Sequence, residues 1–215
     1  MGSLRETVPK IKTTAAVLAD EPMAEHTSFR IGGPADLYAR PATVTEAIEL
    51  CTLCRTEGIP LFVLGAGANI LVSDRGIRGM VLDTSGLRGI ERRGESLVAA
   101  AGTTMSELSS AAAEASLAGL EFVFAMPGSV GGSVWMNARC YGSSVSDLLA
   151  EVEYIDLAGA PEPKRLVPRH GDFSYKRSPF QGRRTLITAA VFRLRRGARE
   201  QSLATMEEHR LDRER

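Results

Sequence analysis

At 215 residues the chain is one large domain or two small ones, long enough to bury a real core. Its 44% hydrophobic and 24% charged residues are ordinary for a globular protein, and 26 basic residues balance 26 acidic ones, so nothing global favours nucleic acid or an acidic membrane. No apolar run approaches the about 18 residues of a membrane span, residues 4 to 14 are too polar for a signal-peptide core, and a cytoplasmic location is expected.

In chain order, residues 1 to 25 are expected to be a short helix or arm carrying Ile11, Ala15, Val17 and Leu18. Gly32-Gly33-Pro34 marks a turn, and Asp36 to Arg40 reads as a strand stopped by Pro41. Thr43-Val-Thr-Glu46 is a capping box opening a helix to about Glu57, which Gly58 and Pro60 end. Within it, Cys51-Thr-Leu-Cys54 has the C-x-x-C form. The run Val44, Ala47, Ile48, Cys51 and Cys54 has helical spacing, however, which makes these cysteines small core residues. With Cys140 they are too few for a disulfide framework, and no second ligand pair exists, so no metal site is expected.

Leu61 to Leu64 has the bulk of a buried strand. It empties into Gly65-Ala66-Gly67-Ala68-Asn69, after which Ile70-Leu71-Val72 resumes the apolar run. A loop so free of bulk can turn several backbone N–H groups onto a phosphate or pyrophosphate; it also suits a tight turn with no ligand. It is not the Rossmann fingerprint, since no third glycine follows at the right spacing and no helical pattern begins there.

Short strands follow at Gly79 to Asp83 and Ser96 to Ala101, with a polar, Arg-rich hairpin around Gly89 to Gly94 between them. Thr104-Met-Ser-Glu107 is a second capping box, and Leu108, Ala111, Ala112 and Ala115 give the buried stripe of a helix to about Leu117. This alternation marks an α+β layered chain. A second stretch without bulk, Pro127-Gly128-Ser129-Val130-Gly131-Gly132-Ser133, leads into Val134, Trp135 and Met136, expected to form a short buried helix ending near Tyr141-Gly142, with Trp135 in the core. Two such loops in one chain look like jaws for an extended phosphate-bearing cofactor. Residues 148 to 157 and 186 to 195 read as strands. Tyr175, Lys176 and Arg177, in the loop Asp172 to Phe180 between them, suit an anionic substrate, or are a solvated loop. From Ala198 onward the sequence reads as a charged helix.

Four ordered stretches carry a resemblance: Thr27 to Asp36, Val63 to Val72, Pro127 to Ser133 with Asn137-Ala138 and Tyr141-Gly142, and Phe173 to Ser178. Over about residues 24 to 210 the chain resembles the UDP-N-acetylenolpyruvoylglucosamine reductase (MurB) family. The resemblance implies an α+β, two-subdomain FAD-binding fold of the p-cresol methylhydroxylase and vanillyl-alcohol oxidase type. The subdomains are expected at 26–90 and 91–197, between an arm at 1–25 and the start of a C-terminal helix at 198–215. It implies that NADPH reduces FAD and that hydride then passes to the enolpyruvyl ether of a UDP-sugar, giving UDP-N-acetylmuramate for peptidoglycan synthesis.

Carried over by motif, Gly65, Ala66, Gly67, Ala68, Asn69 and Ile70, together with Pro127, Gly128, Ser129, Gly131, Gly132 and Ser133, are implied to hold FAD. Asn137, Ala138 and Gly142 are implied to flank the flavin, and Tyr175 to face the substrate. Lys176 stands where the family usually has an arginine on the enolpyruvyl carboxylate, with Arg177 beside it; both are catalytic candidates, and Lys176 also a substrate-binding one. Arg139 and Cys140 replace the small residues usual before Tyr-Gly. Family members continue for about another hundred residues, the size of a separate domain, with a Gly-Ser-x-Phe motif and a late glutamate not found before Arg215. The chain is therefore expected to be an FAD module without the substrate-capping domain, and the alternatives are a flavin-binding module without turnover or an oxidase of the same fold. Tryptophan at Gly67 or Gly131 is expected to abolish FAD retention, measured as flavin absorbance of the purified protein.

Overall fold

A computed structural model describes residues 13–214. The chain begins with β1 (Val17–Pro22), which turns through Met23–His26 and returns antiparallel as β2 (Pro34–Ala39). Helix α1 (Val44–Thr56) follows, then β3 (Leu61–Leu64) and β4 (Ile77–Asp83). The sheet order is β1-β2-β4-β3, with β2, β4 and β3 parallel.

Local chemistry explains α1. Thr43 caps it by accepting from the Glu46 N–H at 3.2 Å, while the Glu46 carboxylate accepts from the Ala42 N–H at 2.7 Å, one residue earlier than a reciprocal capping box requires. At the other end the Gly58 N–H reaches the Arg55 carbonyl and the Ile59 N–H reaches that of Cys54, with Gly58 at φ +66, a Schellman ending. Ala47, Leu50, Cys51 and Cys54 form the buried face, on Leu37, Met80 and Leu82 of the sheet.

The second half holds β5 (Ile90–Arg93), β6 (Ser96–Ala100), α2 (Met105–Glu114), β7 (Leu117–Ala118), α3 (Val130–Met136), β8 (Arg139–Cys140) and β9 (Ser143–Ser144). It continues through β10 (Leu149–Asp156), β11 (Glu162–Leu166), β12 (Thr185–Arg193), β13 (Arg195–Arg196) and α4 (Arg199–Arg213). Its main sheet, β11-β10-β12-β6-β5, is antiparallel throughout. Leu97 and Phe192 from this sheet share one core with Met105 and Leu108 of α2 and Val130 and Val134 of α3. Ile155, Leu157 and Leu186 pack into the first core instead, so the two sheets are joined by buried apolar surface.

Helix α4 docks along its length, with Ser202 near its start donating to Glu121 Oε1 at 2.6 Å and Met206 buried at its middle. His209 stacks on Tyr141 with centroids 3.9 Å apart, Tyr141 donates to Asp212 at 2.8 Å, and Arg213 donates to the carbonyls of Phe122 and Phe124.

Several local expectations are corrected. Val17–Pro22 is a strand rather than a helix, because pairing with β2 overrides a weak periodicity; Ile11 lies outside the described residues. β3 is an edge strand, which leaves Phe62 38% exposed, and no strand forms at residues 70–72, where Val72 is buried but Leu71 is exposed. Part of the Arg-rich hairpin is itself strand, β5. α2 ends at Glu114, before Leu117.

α3 starts inside the glycine-rich stretch and ends at Asn137, which adopts φ 45; Tyr141-Gly142 is instead the two-residue turn between β8 and β9. Trp135 is 42% exposed and not core, because Val130 and Val134, four residues apart, already form the buried stripe.

Burial pushes the thiols of Cys51 and Cys54 up to about 12 and about 11, whereas Cys140 is only half-buried. A chromogenic disulfide reagent at neutral pH is therefore expected to label no more than one thiol per native chain, and all three after unfolding. Rapid native labelling of three would overturn this packing of α1.

Candidate cofactor-binding site

β3 delivers the chain into Gly65–Asn69 at the carboxyl end of the parallel sheet. A Cβ placed on Gly65 would lie 2.9 Å from Ser129 Oγ and 3.8 Å from Gly132 Cα. The two stretches without bulk therefore meet, and the absence of side chains is what lets them.

They differ in what they offer a ligand. The N–H groups of Val130 and Gly131 are spent on the carbonyls of Thr103 and Ala101, both at 2.9 Å, and that of Ser133 on Ser129. The Gly132 N–H points at Ser129 Oγ at 3.4 Å. The first two bonds fasten α3 to the turn that follows β6, and the last two cap it locally. In the first loop, among the described residues, no protein acceptor takes the N–H of Ala66, Gly67, Ala68 or Asn69. Among the described residues no protein acceptor takes the N–H of Gly128 or Ser129 either, so unspent donors lie at Ala66–Asn69 and at the start of the second stretch, with Ala66 and Asn69 exposed. Ile70 is half-buried against the small core around Met23 and Val72. Pro127 is exposed, and Gly128 accepts from the Met105 N–H at 3.2 Å.

The loop is braced from one side. Gly67 has φ +64, and a Cβ there would lie 2.0 Å from the His26 carbonyl oxygen, while Gly67 accepts from the Ser28 N–H at 3.0 Å. Only glycine fits. Beside this brace opens a cleft of about 310 Å³ lined by Glu25, His26, Thr27, Ser28, Arg40, Gly65, Ala66, Asp83 and Ser85. Arg40, Gly65 and Asp83 to Ser85 stand at the carboxyl ends of β2, β3 and β4, where open parallel sheets bind ligands. His26, Arg40, Asp83 and Ser85 were not among the residues read as functional in the sequence. Their common position appears only once the parallel pairing is known.

The Tyr175 region is a second, separate cluster. Ser174 and Arg177 exchange backbone hydrogen bonds of 3.1 and 3.0 Å, placing Tyr175 and Lys176 at the tip of a tight turn. Tyr175 is 68% exposed and the Lys176 ammonium sits 5.5 Å from its ring centroid. Asn137, 3% exposed, donates from Nδ2 to the Ser174 carbonyl at 2.8 Å and accepts at Oδ1 from the Ser146 N–H at 3.1 Å. Its amide is thus used by the protein, fastening the turn to the end of α3. Ser178 does the same by donating to the Trp135 carbonyl at 2.7 Å. Ala138 is half-buried, its N–H on the Ser133 carbonyl, and Gly142 is exposed in the hairpin turn. Among the described residues no hydrogen bond, ion pair or ring contact joins Lys176 or Arg177 to Gly65–Asn69. Nor, among them, do three His, Cys, Asp or Glu side chains group to hold a metal ion, and no helix is long and apolar enough to cross a membrane.

A mixed parallel sheet, an antiparallel sheet and a loop of free amides where they meet define an FAD-binding α+β domain, and the family profile described as "FAD binding domain" matches residues 35–160. The UDP-N-acetylenolpyruvoylglucosamine reductase of Syntrophomonas wolfei is 40% identical over 190 residues, covering 88% of this chain and 63% of that protein. The reductase of Clostridium beijerinckii is 34% identical over 208 residues, covering 96% and 67%. The crystal structure of the reductase (MurB) from Thermus caldophilus superposes with a TM-score of 0.74 at 28% identity, covering 93% of this chain and 69% of that one. The chain belongs to the UDP-N-acetylenolpyruvoylglucosamine reductase family. It spans just under two thirds of the length of the Syntrophomonas relative. Cholesterol oxidase from Brevibacterium sterolicum shares the fold alone, with a TM-score of 0.65 at 16% identity over 85% of this chain and 38% of that one. The expected fold class, the FAD-binding fold of the vanillyl-alcohol oxidase type, is the one found.

These contacts change which substitutions test the site. Gly67 is clamped by backbone, and a Cβ on Gly131 would lie 3.0 Å from Ala101 Cβ, so bulk at either disturbs the fold before any ligand. A Cβ on Gly132 meets only Ser129 Oγ at 3.5 Å. Gly132→Leu is expected to lose bound flavin while the flavin-free protein keeps its melting temperature, and Gly67→Ala to lower stability by more than about 1 kcal/mol. Flavin absorbance and thermal melting of both variants check the pair.

Proposed function

We propose that this chain holds FAD and serves the NADPH-dependent reduction of UDP-N-acetylglucosamine enolpyruvate to UDP-N-acetylmuramate, a step of peptidoglycan precursor synthesis in the cytoplasm. The observation that carries the reading is the meeting of Gly65 with Ser129 and Gly132 beside amides that no protein group takes. The residues fit the cofactor: the loop supplies N–H donors for a pyrophosphate, and the surroundings supply no bulk to exclude it. Bound FAD would supply the hydride chemistry, accepting hydride from NADPH and passing it to the enolpyruvyl double bond.

On this reading the amides of Ala66 to Asn69 and of Gly128 and Ser129 bind the phosphates, Gly65, Ile70, Pro127 and Gly131 to Ser133 shape the walls, and Asn137, Ala138 and Gly142 form the edge nearest the flavin. The two FAD-binding subdomains are residues 26–90 and 91–197, the first extended by β1, which completes its sheet. Tyr175 and Lys176 face the UDP-sugar, with the Lys176 ammonium drawing on the enolpyruvyl carboxylate. The tight turn favours Lys176 over Arg177, because Lys176 shares the exposed tip with Tyr175. Its point charge lacks the bidentate fork of arginine. A second reading, a flavin-holding module without turnover of its own, is supported by the absence, among the described residues, of any hydrogen bond, ion pair or ring contact joining Lys176 or Arg177 to Gly65–Asn69.

An anaerobic visible spectrum of the purified chain separates the two. Bleaching of a flavin band by NADPH and its return on adding the enolpyruvyl UDP-sugar is the expected result. Bleaching without return selects the second reading, and no flavin after incubation with FAD overturns both. Lys176→Ala is expected to slow the return about tenfold or more while leaving bleaching unchanged, the scale of one lost charge-assisted hydrogen bond. Stopped-flow absorbance of the two half-reactions checks this, and equal loss in both would overturn the role of Lys176.

A further inference from the structure

The loop Gly65–Asn69 leans on the backbone of His26 to Ser28, and the His26 side chain is what ties that brace to the sheet. Its ring stacks on Tyr38 with centroids 4.2 Å apart and planes 25° apart. Nε2 lies 2.8 Å from Glu21 Oε1, and Nδ1 lies 3.2 Å from the Tyr38 oxygen. The Tyr38 hydroxyl donates to Asp83 Oδ2, and Asp83 also accepts from the Ser85 N–H and hydroxyl, each at 2.8 Å. The chain Glu21–His26–Tyr38–Asp83 therefore crosses three neighbouring strands, β1, β2 and β4.

Its three links need three protons. Asp83, accepting from three donors, is a carboxylate. Burial, then the bond to Asp83, pushes the Tyr38 phenol far above its ordinary value, so it keeps its proton and donates it to Asp83. The Tyr38 oxygen must then accept from His26 Nδ1–H. With Glu21 ionised, the remaining link needs an Nε2–H as well. A neutral imidazole carries one N–H and cannot make both bonds; an imidazolium can.

We propose that His26 is a positioning residue for the cofactor loop and acts as an imidazolium: its proton completes the Glu21–His26–Tyr38–Asp83 chain, holds the His26 carbonyl against Gly67, and so couples the loop's grip on an anionic cofactor to pH. The proposal rests on the reading of Gly65–Asn69 as the FAD phosphate cradle. The charged and titratable groups facing His26 are Glu21 from β1, Tyr38 from β2 and Asp83 behind the phenol at the end of β4. Glu25 on its own turn and Arg40 after β2 share the cleft with it. Arg40 opposes the positive charge, and three carboxylates outweigh it. Losing the proton breaks one link and frees the brace. Cofactor affinity thus falls when the ring loses that proton.

The test is FAD affinity, read by flavin fluorescence, across about pH 5 to 8, the interval in which imidazoles change charge. The unaltered chain is expected to bind FAD about tenfold more weakly at the upper end, the scale of one charge-assisted hydrogen bond. Glu21→Gln supplies the missing donor, since its amide N–H can bond the bare Nε2 of a neutral ring. This variant is expected to bind FAD with the same affinity at both ends. His26→Gln is expected to bind weakly and without pH dependence. An unaltered chain whose FAD affinity is level across the series, or a Glu21→Gln variant that keeps the original pH profile, would overturn the positioning role and leave the cofactor reading standing. No FAD binding at any pH in the folded chain would overturn the cofactor reading, and this proposal with it.

Discussion

Everything at the site depends on two backbones approaching more closely than side chains allow. Gly65 and Gly132 face each other across Ser129 Oγ, and Gly67 presses on the His26 carbonyl. Repulsion between atoms rises so steeply at these separations that one methyl group at Gly67 would force the brace or the loop to move. The glycines therefore do two jobs that look alike in a sequence. Gly67 is needed by the protein's own chain, whereas Gly132 leaves space the protein does not fill.

The rest of the architecture holds those backbones still. α3 is only two turns long, and glycines at its start give it little helical preference of its own. It persists because Val130 and Gly131 donate to Thr103 and Ala101 in the turn after β6 and because Val130 and Val134 are buried. Asn137 then closes it and fastens the Tyr175 turn to it through a side chain with both ends of its amide occupied. On the other side, the parallel strands present Arg40, Gly65 and Asp83 along one edge. The cleft is a product of strand direction.

What could be read in advance follows from this division. α1, α2 and the long strands β10 and β12 were legible, since their periods and their Thr43 and Thr104 caps are local in the chain. So was the inert character of Cys51 and Cys54, which follows from helical spacing. β1 was not, because its pairing with β2 is invisible in an isolated stretch. Of α3 the helix itself was expected from Val134, but its first turn was not, because Val130 to Ser133 read as loop and is held by bonds to Ala101 and Thr103, about thirty residues away in the sequence. Trp135 misled because apolar neighbours suggest burial, while the angle around the helix places it outward. His26 and Asp83 went unread because each looks unremarkable until Tyr38 is seen between them.

The assembly of the cleft from the ends of three parallel strands bears on folding. Parallel pairing joins segments that are far apart along the chain, so it forms late and exists only once loop closure has been offset by packing. The unfolded ensemble then has no partial version of the cleft. A ligand that fits it binds the native chain alone, and by mass action it stabilises the whole fold, by about 2.7 kcal/mol when present at a hundred times its dissociation constant. The cleft and the core therefore melt together, and the occupant of one is a stabiliser of the other.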